Sequence, residues 1–561
     1  MTAIAATFDR MPSTGGRQQG LSLTYHRLML VMLVFAGVTA LVAGRLLYLQ
    51  LFTDRSSGAA IGNPLVPARG DIVDRNGVPL ARTIDAWTIA IHPNRLLGNA
   101  GELAVRLNQL MPEHSAADYL RVLKSGKSFA FLARRAMPEL VQAVNALGEP
   151  AIEFSREPER LYPQTSLAAH VLGWTDFDGR GVTGMEKVMN GRLSDAGLRG
   201  TPVALSIDSR VQAAMESELA AAMAKHNAMG ATGIVLDVRT GELLALASLP
   251  TFNPNATGKS DPNALFNRAT MGAYELGSTF KPITMAFAME AGVVSSMTQK
   301  YDATAPIEIG RFHIKDDHPQ NRALNIPETL VHSSNIVTAR IAEQMGPERM
   351  QAAFRALGFD KPLQIELDQK GRPLWPSDWG RATVMTSGFG HGIAITPLHL
   401  ATAYAALVNG GIWRPATLMR AARPAEGRRV ISEATSYKIR QLMRMVVLMG
   451  TGKKGEAPGY RVGGKTGTAE KSMAGGYSKK MNVSTFAGVF PMDNPRYVVI
   501  AMLDAPQGTA DTYGFTTAAW TAAPVVSHVI SRIGPLVGVY PDDHRDIDVS
   551  ELLPLVGDSR K

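Results

Sequence analysis

The chain has 561 residues, of which 45% are hydrophobic and 19% are charged. This length exceeds a single hydrophobic core, so two or three folded domains are expected. The absence of cysteine excludes disulfides, thiolate metal sites and a cysteine nucleophile. The formal net charge of +9 suits a lipid surface or a polyanionic cell-wall polymer. Nucleic acid is not expected as a partner, because the basic residues are scattered and form no tract with interleaved aromatics.

The N-terminal region contains one long apolar segment. Residues 1–27 are polar and predict a disordered tail, whereas Leu28–Gly44 is uncharged and strongly apolar. The apolar character resumes after Arg45, so the run approaches the roughly 20 residues that cross a bilayer. It exceeds the apolar core of a signal peptide and is apolar on all sides, unlike a helix buried in a domain. The sequence therefore predicts an uncleaved transmembrane helix over 28–51, with all residues after 55 outside the cytoplasm.

Residues 63–200 have the pattern of a separate module. Asn76–Gly77 lies between two short extended runs, which is a strong hairpin signal. Apolar spacing predicts one helix over 100–124 and another over 137–147. The glycine-rich stretch GRGVTGME at 179–186 has neither of the common phosphate-loop spacings, so we interpret it as a structural turn that enters a helix.

The pattern changes after residue 201 to that of a mixed domain. Asp208 can cap a helix with apolar residues at helical spacing. Helix-rich sequence fills most of 278–450, and a further helix is predicted over 518–531. Short extended runs predict strands at 233–237, 243–248, 483–490 and 497–503. Together these elements predict an α+β fold, an antiparallel sheet flanked by helices. The charged residues after Tyr540 are predicted to be loose.

The segment ELGSTFKP, residues 275–282, carries the clearest signal for chemistry. Ser278 and Lys281 are three residues apart, so on a helix both side chains leave the same face. Gly277 can provide an irregular backbone before the helix, and Pro282 is tolerated only near its first turn. A serine at a helix N-terminus with a desolvated lysine beneath it is a known activated nucleophile. The alternative is an ordinary helix cap followed by a solvated lysine.

Two downstream motifs favour the catalytic interpretation. The chain has no other Ser-x-x-Lys, and Ser333-Ser334-Asn335 and then Lys465-Thr466-Gly467-Thr468 follow it in order. This order of motifs is typical of penicillin-binding proteins and serine β-lactamases. Taken singly, Ser333 could cap a helix and the Lys465 motif could be a plain strand end.

The whole chain resembles a class B penicillin-binding protein, most closely the division-specific type. The motifs RGDIVDRNG at 69–77 and SGFGHGIAITPL at 387–398, together with the three motifs above, resemble family signatures in family order. No stretch resembles the glycosyltransferase domain of class A enzymes. The resemblance implies a C-terminal penicillin-binding and β-lactamase-like transpeptidase domain, preceded by an elongated pedestal domain and one membrane helix. The expected organisation is a cytoplasmic tail (1–27), a transmembrane helix (28–51), a pedestal (63–200), a transpeptidase domain (201–535) and a C-terminal tail (536–561).

The resemblance also implies a role for each motif residue. Ser278 would attack a stem peptide ending in D-Ala-D-Ala, with Lys281 as the general base. Ser333 would pass a proton to the leaving amine, and Asn335 would bind the acyl amide. Lys465 and Thr466 would hold the terminal carboxylate, with Lys465 staying protonated. Gly467 would let the substrate approach the strand, and the backbone N–H groups of Ser278 and Thr468 would form an oxyanion hole.

The implied function is septal peptidoglycan cross-linking during cell division, with acylation by β-lactams. The expected partners are peptidoglycan stem peptides, β-lactam antibiotics, a SEDS-family glycosyltransferase and other division-complex membrane proteins. The protein would be anchored in the cytoplasmic membrane with its catalytic domain outside the cytoplasm. No cofactor or metal is expected: the residues His313, Asp316, Asp317 and His318 match no zinc spacing and are interpreted as a polar loop.

Three alternatives remain open at this stage. The first is an elongation-specific transpeptidase of the same class. The second is a β-lactamase or β-lactam sensor, for which Glu366 is the nearest candidate for the base that activates deacylating water. The third is a catalytically inactive scaffold of the division complex. His391, between two glycines, either lines the cleft or is a loop histidine, and it is kept out of the catalytic set.

Overall fold

The computed structural model describes residues 29–44, 69–198, 200–310, 312–473 and 476–557. Residues 29–44 form helix α1, whose side chains are exposed. The remainder of the expected membrane segment 28–51 lies outside the described residues. Within the described ranges, no helix combines the length and the apolar character that a membrane crossing requires.

The first module after α1 is built on a mixed sheet with helices against it. Its strands are β1 (Ile72–Val73), β2 (Pro79–Ile91), β3 (Ala130–Ala136), β4 (Ile152–Leu161) and β5 (Val203–Ala204). Strand β1 pairs antiparallel with β2 and parallel with β5, and β2 also pairs with β3. Its helices are α2 (Ala100–Leu110), α3 (Ala116–Leu123), α4 (Pro138–Asn145), α5 (Ala169–Leu172), α6 (Gly184–Val188) and α7 (Asn190–Ser194).

The local signals in this module are largely confirmed. Gly77 has a φ of +85° in the turn between β1 and β2, and the Asp74 carboxylate accepts from the N–H groups of Asn76 and Val78. The stretch at 179–186 does enter a helix, α6. The single helix expected over 100–124 is wrong, because the chain breaks into α2 and α3. Pro112 lies at the break, and Ser115 starts α3 with a capping box to Asp118.

The second domain is organised around a five-stranded antiparallel sheet. Its strands are β6 (Gly230–Asp237), β7 (Leu243–Leu249), β12 (Gly463–Met473), β13 (Gly476–Phe490) and β14 (Tyr497–Asp504). The spatial order is β12-β13-β14-β6-β7, so β12 is an edge strand and β6 pairs with a strand far along the chain. Two small hairpins lie apart from this sheet, β8 (Ile307–Ile309) with β9 (Phe312–Ile314) and β10 (Ile412–Trp413) with β11 (Arg428–Arg429). The predicted α+β antiparallel sheet is confirmed.

Helices cover both faces of this sheet. They are α8 (Ser209–Lys225), α9 (Lys281–Glu290), α10 (Ile326–Val331), α11 (Asn335–Ala356), α12 (Arg381–Ser387), α13 (Pro397–Val408), α14 (Glu433–Met449) and α15 (Ala522–Ile533). Helices α8 and α15 pack together with the sheet around one apolar cluster, which includes Met215, Val499 and Val526. Helices α9, α11, α13 and α14 contribute to the larger core, with Ile283, Val337 and Tyr404 fully buried.

The residues after Tyr540 are not loose, so that expectation is wrong as far as residue 557. Ile547, Val549 and Leu552 are buried in the larger core. The buried guanidinium of Arg444 on α14 pairs with Asp546 at 2.7 Å, and it also binds Glu456. The charged composition led to a wrong prediction because this segment buries its few apolar residues and uses the Asp546 carboxylate to neutralise a buried arginine.

Candidate active site

Ser278 lies in a short 3₁₀ turn, Gly277–Phe280, that leads directly into helix α9. Gly277 adopts a φ of +55°, a region that favours glycine, and its N–H donates to the carbonyl of Gly390 at 3.3 Å. The phenol of Tyr404 donates to the carbonyl of Thr279 at 2.8 Å. The half-buried serine is therefore held at the start of a helix, as its sequence predicted, where the free N–H groups favour developing negative charge.

Lys281 is fully buried, with 0% exposure, in the first turn of α9. Its Nζ donates to Asn335 Oδ1 at 2.7 Å, to Ser333 Oγ at 3.1 Å and to the carbonyl of Ser333. The Ser278–Lys281 motif, the first in the chain, is therefore in direct contact with the second, Ser333–Asn335. All three acceptors are neutral oxygens.

Lys465 on the edge strand β12 reaches the same hydroxyl. It is also fully buried, and its Nζ donates to Ser333 Oγ at 2.9 Å and to the carbonyl of Thr466 at 3.0 Å. The hydroxyls of Thr466 and Thr451 are 2.7 Å apart. The structure thus brings Lys281, Ser333, Asn335 and Lys465 together around one serine hydroxyl.

Gly467 brings strand β12 against the Ser278 turn. A Cβ atom at this position would lie 2.3 Å from the carbonyl oxygen of Leu276 and 2.8 Å from the Thr279 methyl group. On this side the glycine therefore makes room for the backbone of the turn. The absence of a side chain at Gly467 thus lets the third motif, Lys465–Thr468, lie close to the turn that carries Ser278. The close approach of a substrate to the strand at Gly467 stays a prediction.

Thr468 follows on the same strand and is half-buried. Its hydroxyl accepts from the N–H of Ala518 at 3.1 Å, and a Cβ on Gly277 would lie 3.0 Å from its carbonyl oxygen. The backbones around Ser278 and Thr468 are therefore neighbours. The oxyanion hole expected from their two N–H groups stays a prediction.

Two family models match this chain. The penicillin binding protein transpeptidase domain matches residues 231–527, and the penicillin-binding protein dimerisation domain matches residues 64–194. The chain belongs to the penicillin-binding protein transpeptidase family.

Relatives of this penicillin-binding protein match most of its length. A probable peptidoglycan D,D-transpeptidase FtsI from Caulobacter vibrioides is 40% identical over 502 residues, which cover 87% of this chain and 85% of the relative. The peptidoglycan D,D-transpeptidase FtsI of Escherichia coli K12 is 30% identical over 514 residues, covering 85% and 84%. Among solved structures, penicillin binding protein 3 of Mycobacterium tuberculosis, complexed with aztreonam, has a TM-score of 0.67 at 26% identity and covers 86% of this chain and 99% of that chain.

The two buried lysines of this penicillin-binding protein have lowered pKa values. Burial lowers the pKa of Lys281 to about 7, although the carboxylates of Asp316 and Asp317 act in the opposite direction. Burial also lowers the pKa of Lys465, and the charge of Lys281 lowers it further. Two buried ammonium groups on one hydroxyl repel each other, so the doubly protonated pair is disfavoured. The expectation that Lys465 stays protonated is therefore restricted to a site that holds an anionic ligand.

The structure also places the other residues that the sequence singled out, which are Glu366, His391 and the loop at 313–318. Glu366 accepts from the Thr417 hydroxyl through Oε1 and from the Leu418 N–H through Oε2, so both oxygens of this candidate base are held by that segment. Burial lowers the pKa of His391, and the charge of the nearby Lys281 lowers it further. Among the described residues, no group of three or more His, Asp or Glu could hold a metal ion.

Sequence reasoning missed Asp316. It was interpreted as part of a polar loop, yet it is buried and accepts from the hydroxyl of Ser334 in the second motif and from the N–H of Ile336, the residue after the motif. The available signal was its position two residues after strand β9. That signal alone could not indicate its partner, because the hydrogen bond joins two segments separated by a helix.

Proposed function

We propose that this penicillin-binding protein is a class B peptidoglycan D,D-transpeptidase of the division septum, which works through an acyl-enzyme on Ser278. The observation that carries the proposal is the convergence of the Lys281 and Lys465 side-chain nitrogens on the hydroxyl of Ser333, at 3.1 and 2.9 Å, with Lys281 directly after the turn that holds Ser278. A proton that leaves Ser278 thus has a base and a hydroxyl relay to receive it.

In the first step, Ser278 Oγ attacks the carbonyl carbon of the penultimate D-Ala of a stem peptide. The Oγ–C bond forms and the C–N bond to the terminal D-Ala breaks. Lys281, whose pKa of about 7 leaves roughly half of it neutral at pH 7, takes the hydroxyl proton. Ser333 passes the proton to the nitrogen of the leaving D-Ala. The N–H groups of Ser278 and Thr468 stabilise the oxyanion, at about 3 kcal/mol for each donor.

In the second step, the amine of another stem peptide attacks the ester carbon. The new C–N bond forms, the C–Oγ bond breaks, and the proton lost by the amine restores the Ser278 hydroxyl. Asn335 binds the acyl amide, while Lys465 and Thr466 hold the terminal carboxylate of the donor before it leaves. The carboxylate supplies the counter-charge that Lys465 lacks in the free site, so substrate binding raises the pKa of Lys465.

The N-terminal region completes the proposal. Residues 1–27 form the cytoplasmic tail, 28–51 the membrane anchor, 63–200 the pedestal and 201–535 the transpeptidase domain, and 536–561 is a C-terminal segment that packs into the larger core as far as residue 557. The exposed apolar side chains of α1, such as Leu33, Phe35 and Leu41, support a lipid environment for this helix. The pedestal and the transpeptidase domain then lie outside the cytoplasm, where peptidoglycan is cross-linked.

The division role is supported by the relatives. The proteins from Caulobacter vibrioides and Escherichia coli named above both carry the FtsI name. The proposed partners are stem peptides, β-lactams, a SEDS-family glycosyltransferase and other membrane proteins of the division complex.

Labelling of the detergent-solubilised full-length protein with a fluorescent penicillin tests the acyl-enzyme. We expect one adduct by intact mass, on the peptide that contains Ser278, and none in Ser278→Ala. The control is Ser295→Ala, which removes an exposed serine hydroxyl and should label normally. An adduct on another peptide, or labelling that survives in Ser278→Ala, would overturn the proposal. Incubation with a stem-peptide analogue and an added amine should give a cross-linked product, whereas hydrolysis alone would indicate a hydrolase.

A further inference from the structure

Asp316 is a buried carboxylate beneath the second motif. It lies two residues after strand β9 and is 6% exposed. Its Oδ2 accepts from the hydroxyl of Ser334 at 2.7 Å, and its Oδ1 accepts from the N–H of Ile336 at 2.9 Å. The carboxylate therefore binds on both sides of Asn335, at the N-terminus of α11, where the helix dipole favours a negative charge.

The backbone that Asp316 holds has an unfavourable conformation. Ser333 has a φ of +58°, in the left-handed region that a serine rarely adopts. The next residue, Ser334, caps α11 by accepting from the N–H of Val337 at 3.1 Å while it donates to Asp316. The hydrogen bonds of Ser334 thus fix the backbone conformation that places the Ser333 hydroxyl between Lys281 and Lys465.

The same loop also binds Asn335. The Asn335 amide donates to the carbonyl of Lys315 at 2.9 Å and accepts from Lys281 Nζ at 2.7 Å. Residues 315 and 316 therefore contact each of the three positions from 334 to 336. These contacts do not involve Ser278 or strand β12.

We propose that Asp316 is a positioning residue for the transpeptidase reaction: through Ser334 and the first turn of α11, it holds Ser333 and Asn335 against Lys281. The inference rests on the proposed function, since it assigns Asp316 to the proton path of that reaction. A misplacement of about 1 Å in such a path costs on the order of 10²-fold in rate.

The negative charge of Asp316 adds an effect that a purely structural residue would not have. Lys281 is faced by Lys465 from β12, by Asp316 and Asp317 from the loop after β9, and by His391 from the loop before α13. The two carboxylates oppose the lowering of the Lys281 pKa by burial. Loss of one carboxylate therefore lowers the pKa of Lys281. The rise of the acylation rate constant with pH, called the acid limb below, then moves to lower pH.

The test measures the acylation rate constant with a fluorescent penicillin against pH, for the full-length protein. We expect Asp316→Asn, which keeps the shape without the charge, to lose about 10-fold and to shift the acid limb to lower pH. Asp316→Ala should lose on the order of 10²-fold. Asp548→Asn removes an exposed carboxylate that binds its own turn, and it should leave both the rate and the limb unchanged.

Wild-type rates in both Asp316 variants would overturn the inference. A rate loss in Asp316→Asn with an unmoved acid limb and a lowered melting temperature would make Asp316 a stability residue and also overturn it. Ser334→Ala, which removes the hydroxyl through which Asp316 acts, should lose rate without a shift of the acid limb, and a wild-type rate in this variant would likewise overturn the inference. If Asp316→Ala does not fold, Asp316→Asn and Ser334→Ala decide the question. Failure of the wild type to form an adduct at Ser278 would instead overturn the proposed function, so the two failures are distinguishable.

Discussion

The pedestal and the transpeptidase domain each bury a cluster of charged side chains, and the two clusters are built differently. In the pedestal, the fully buried carboxylate of Glu186 pairs with the Nε atoms of both Arg69 and Arg160. In the transpeptidase domain, Lys281 and Lys465 donate only to neutral oxygens and meet at the Ser333 hydroxyl. Opposite charges close the first cluster and make it part of the scaffold, whereas the second stays open to an external anion.

The largest expected effect comes from removing the base in the open cluster. Arginine keeps the charge of Lys281 but cannot deprotonate, so Lys281→Arg should lower the acylation rate constant by about 10³-fold. Lys465→Arg should retain a measurable fraction of the rate with weakened substrate binding, because its task is to attract a carboxylate. Stopped-flow acylation of both variants measures the difference. A wild-type rate in Lys281→Arg would mean that the Ser278 proton leaves by another route.

The second-largest effect is expected when the buried carboxylate of the pedestal cluster is neutralised. Glu186→Gln leaves Arg69 and Arg160, which are 6% and 5% exposed at their side chains, without a counter-charge. The free energy of unfolding should fall by about 3–5 kcal/mol, because a buried pair has lost one partner. Urea denaturation measures it, with Glu102→Gln as the control. Glu102 forms an exposed pair with Arg106, whose loss should cost about 0.5 kcal/mol or less. Penicillin labelling per folded molecule should stay normal in both variants.

The smallest expected effect is a shift in the pH dependence of the acylation rate constant. The wild-type acylation rate should rise with pH through about 7, because Lys281 must lose its proton to act as the base. At saturating penicillin, whose carboxylate keeps Lys465 protonated, Lys465→Met removes the neighbouring ammonium, so the pKa of Lys281 in the complex rises and the acid limb moves to higher pH. The exposed Lys438 supplies the control Lys438→Met, which should not move the limb. A limb that moves to lower pH in Lys465→Met would contradict repulsion between the two lysines.

The sequence predicted features that depend on neighbouring residues. The Ser278–Lys281 spacing, the Asn76–Gly77 turn and the extended runs of the sheet were all readable, since helix and strand periodicity are local. The hydrogen bonds of Asp316 and the contact of Gly467 with Leu276 could not be predicted from the sequence, because each joins segments that only the fold brings together. The split between α2 and α3 was readable from Pro112, and it was missed because the apolar spacing continues across it.

The strand order has a consequence for how the chain folds. Strand β6 can pair with β7 as soon as both leave the ribosome, but its other edge stays open until β14 is made. Ser278, Lys281 and Ser333 are likewise synthesised long before β12, which brings Lys465 to them. Pairings between distant segments slow folding, and an open strand edge can bind another chain meanwhile. The order of synthesis therefore leaves one edge of β6 in need of protection until the last strands arrive, and the nucleophile is among the last parts of the domain to reach its working geometry.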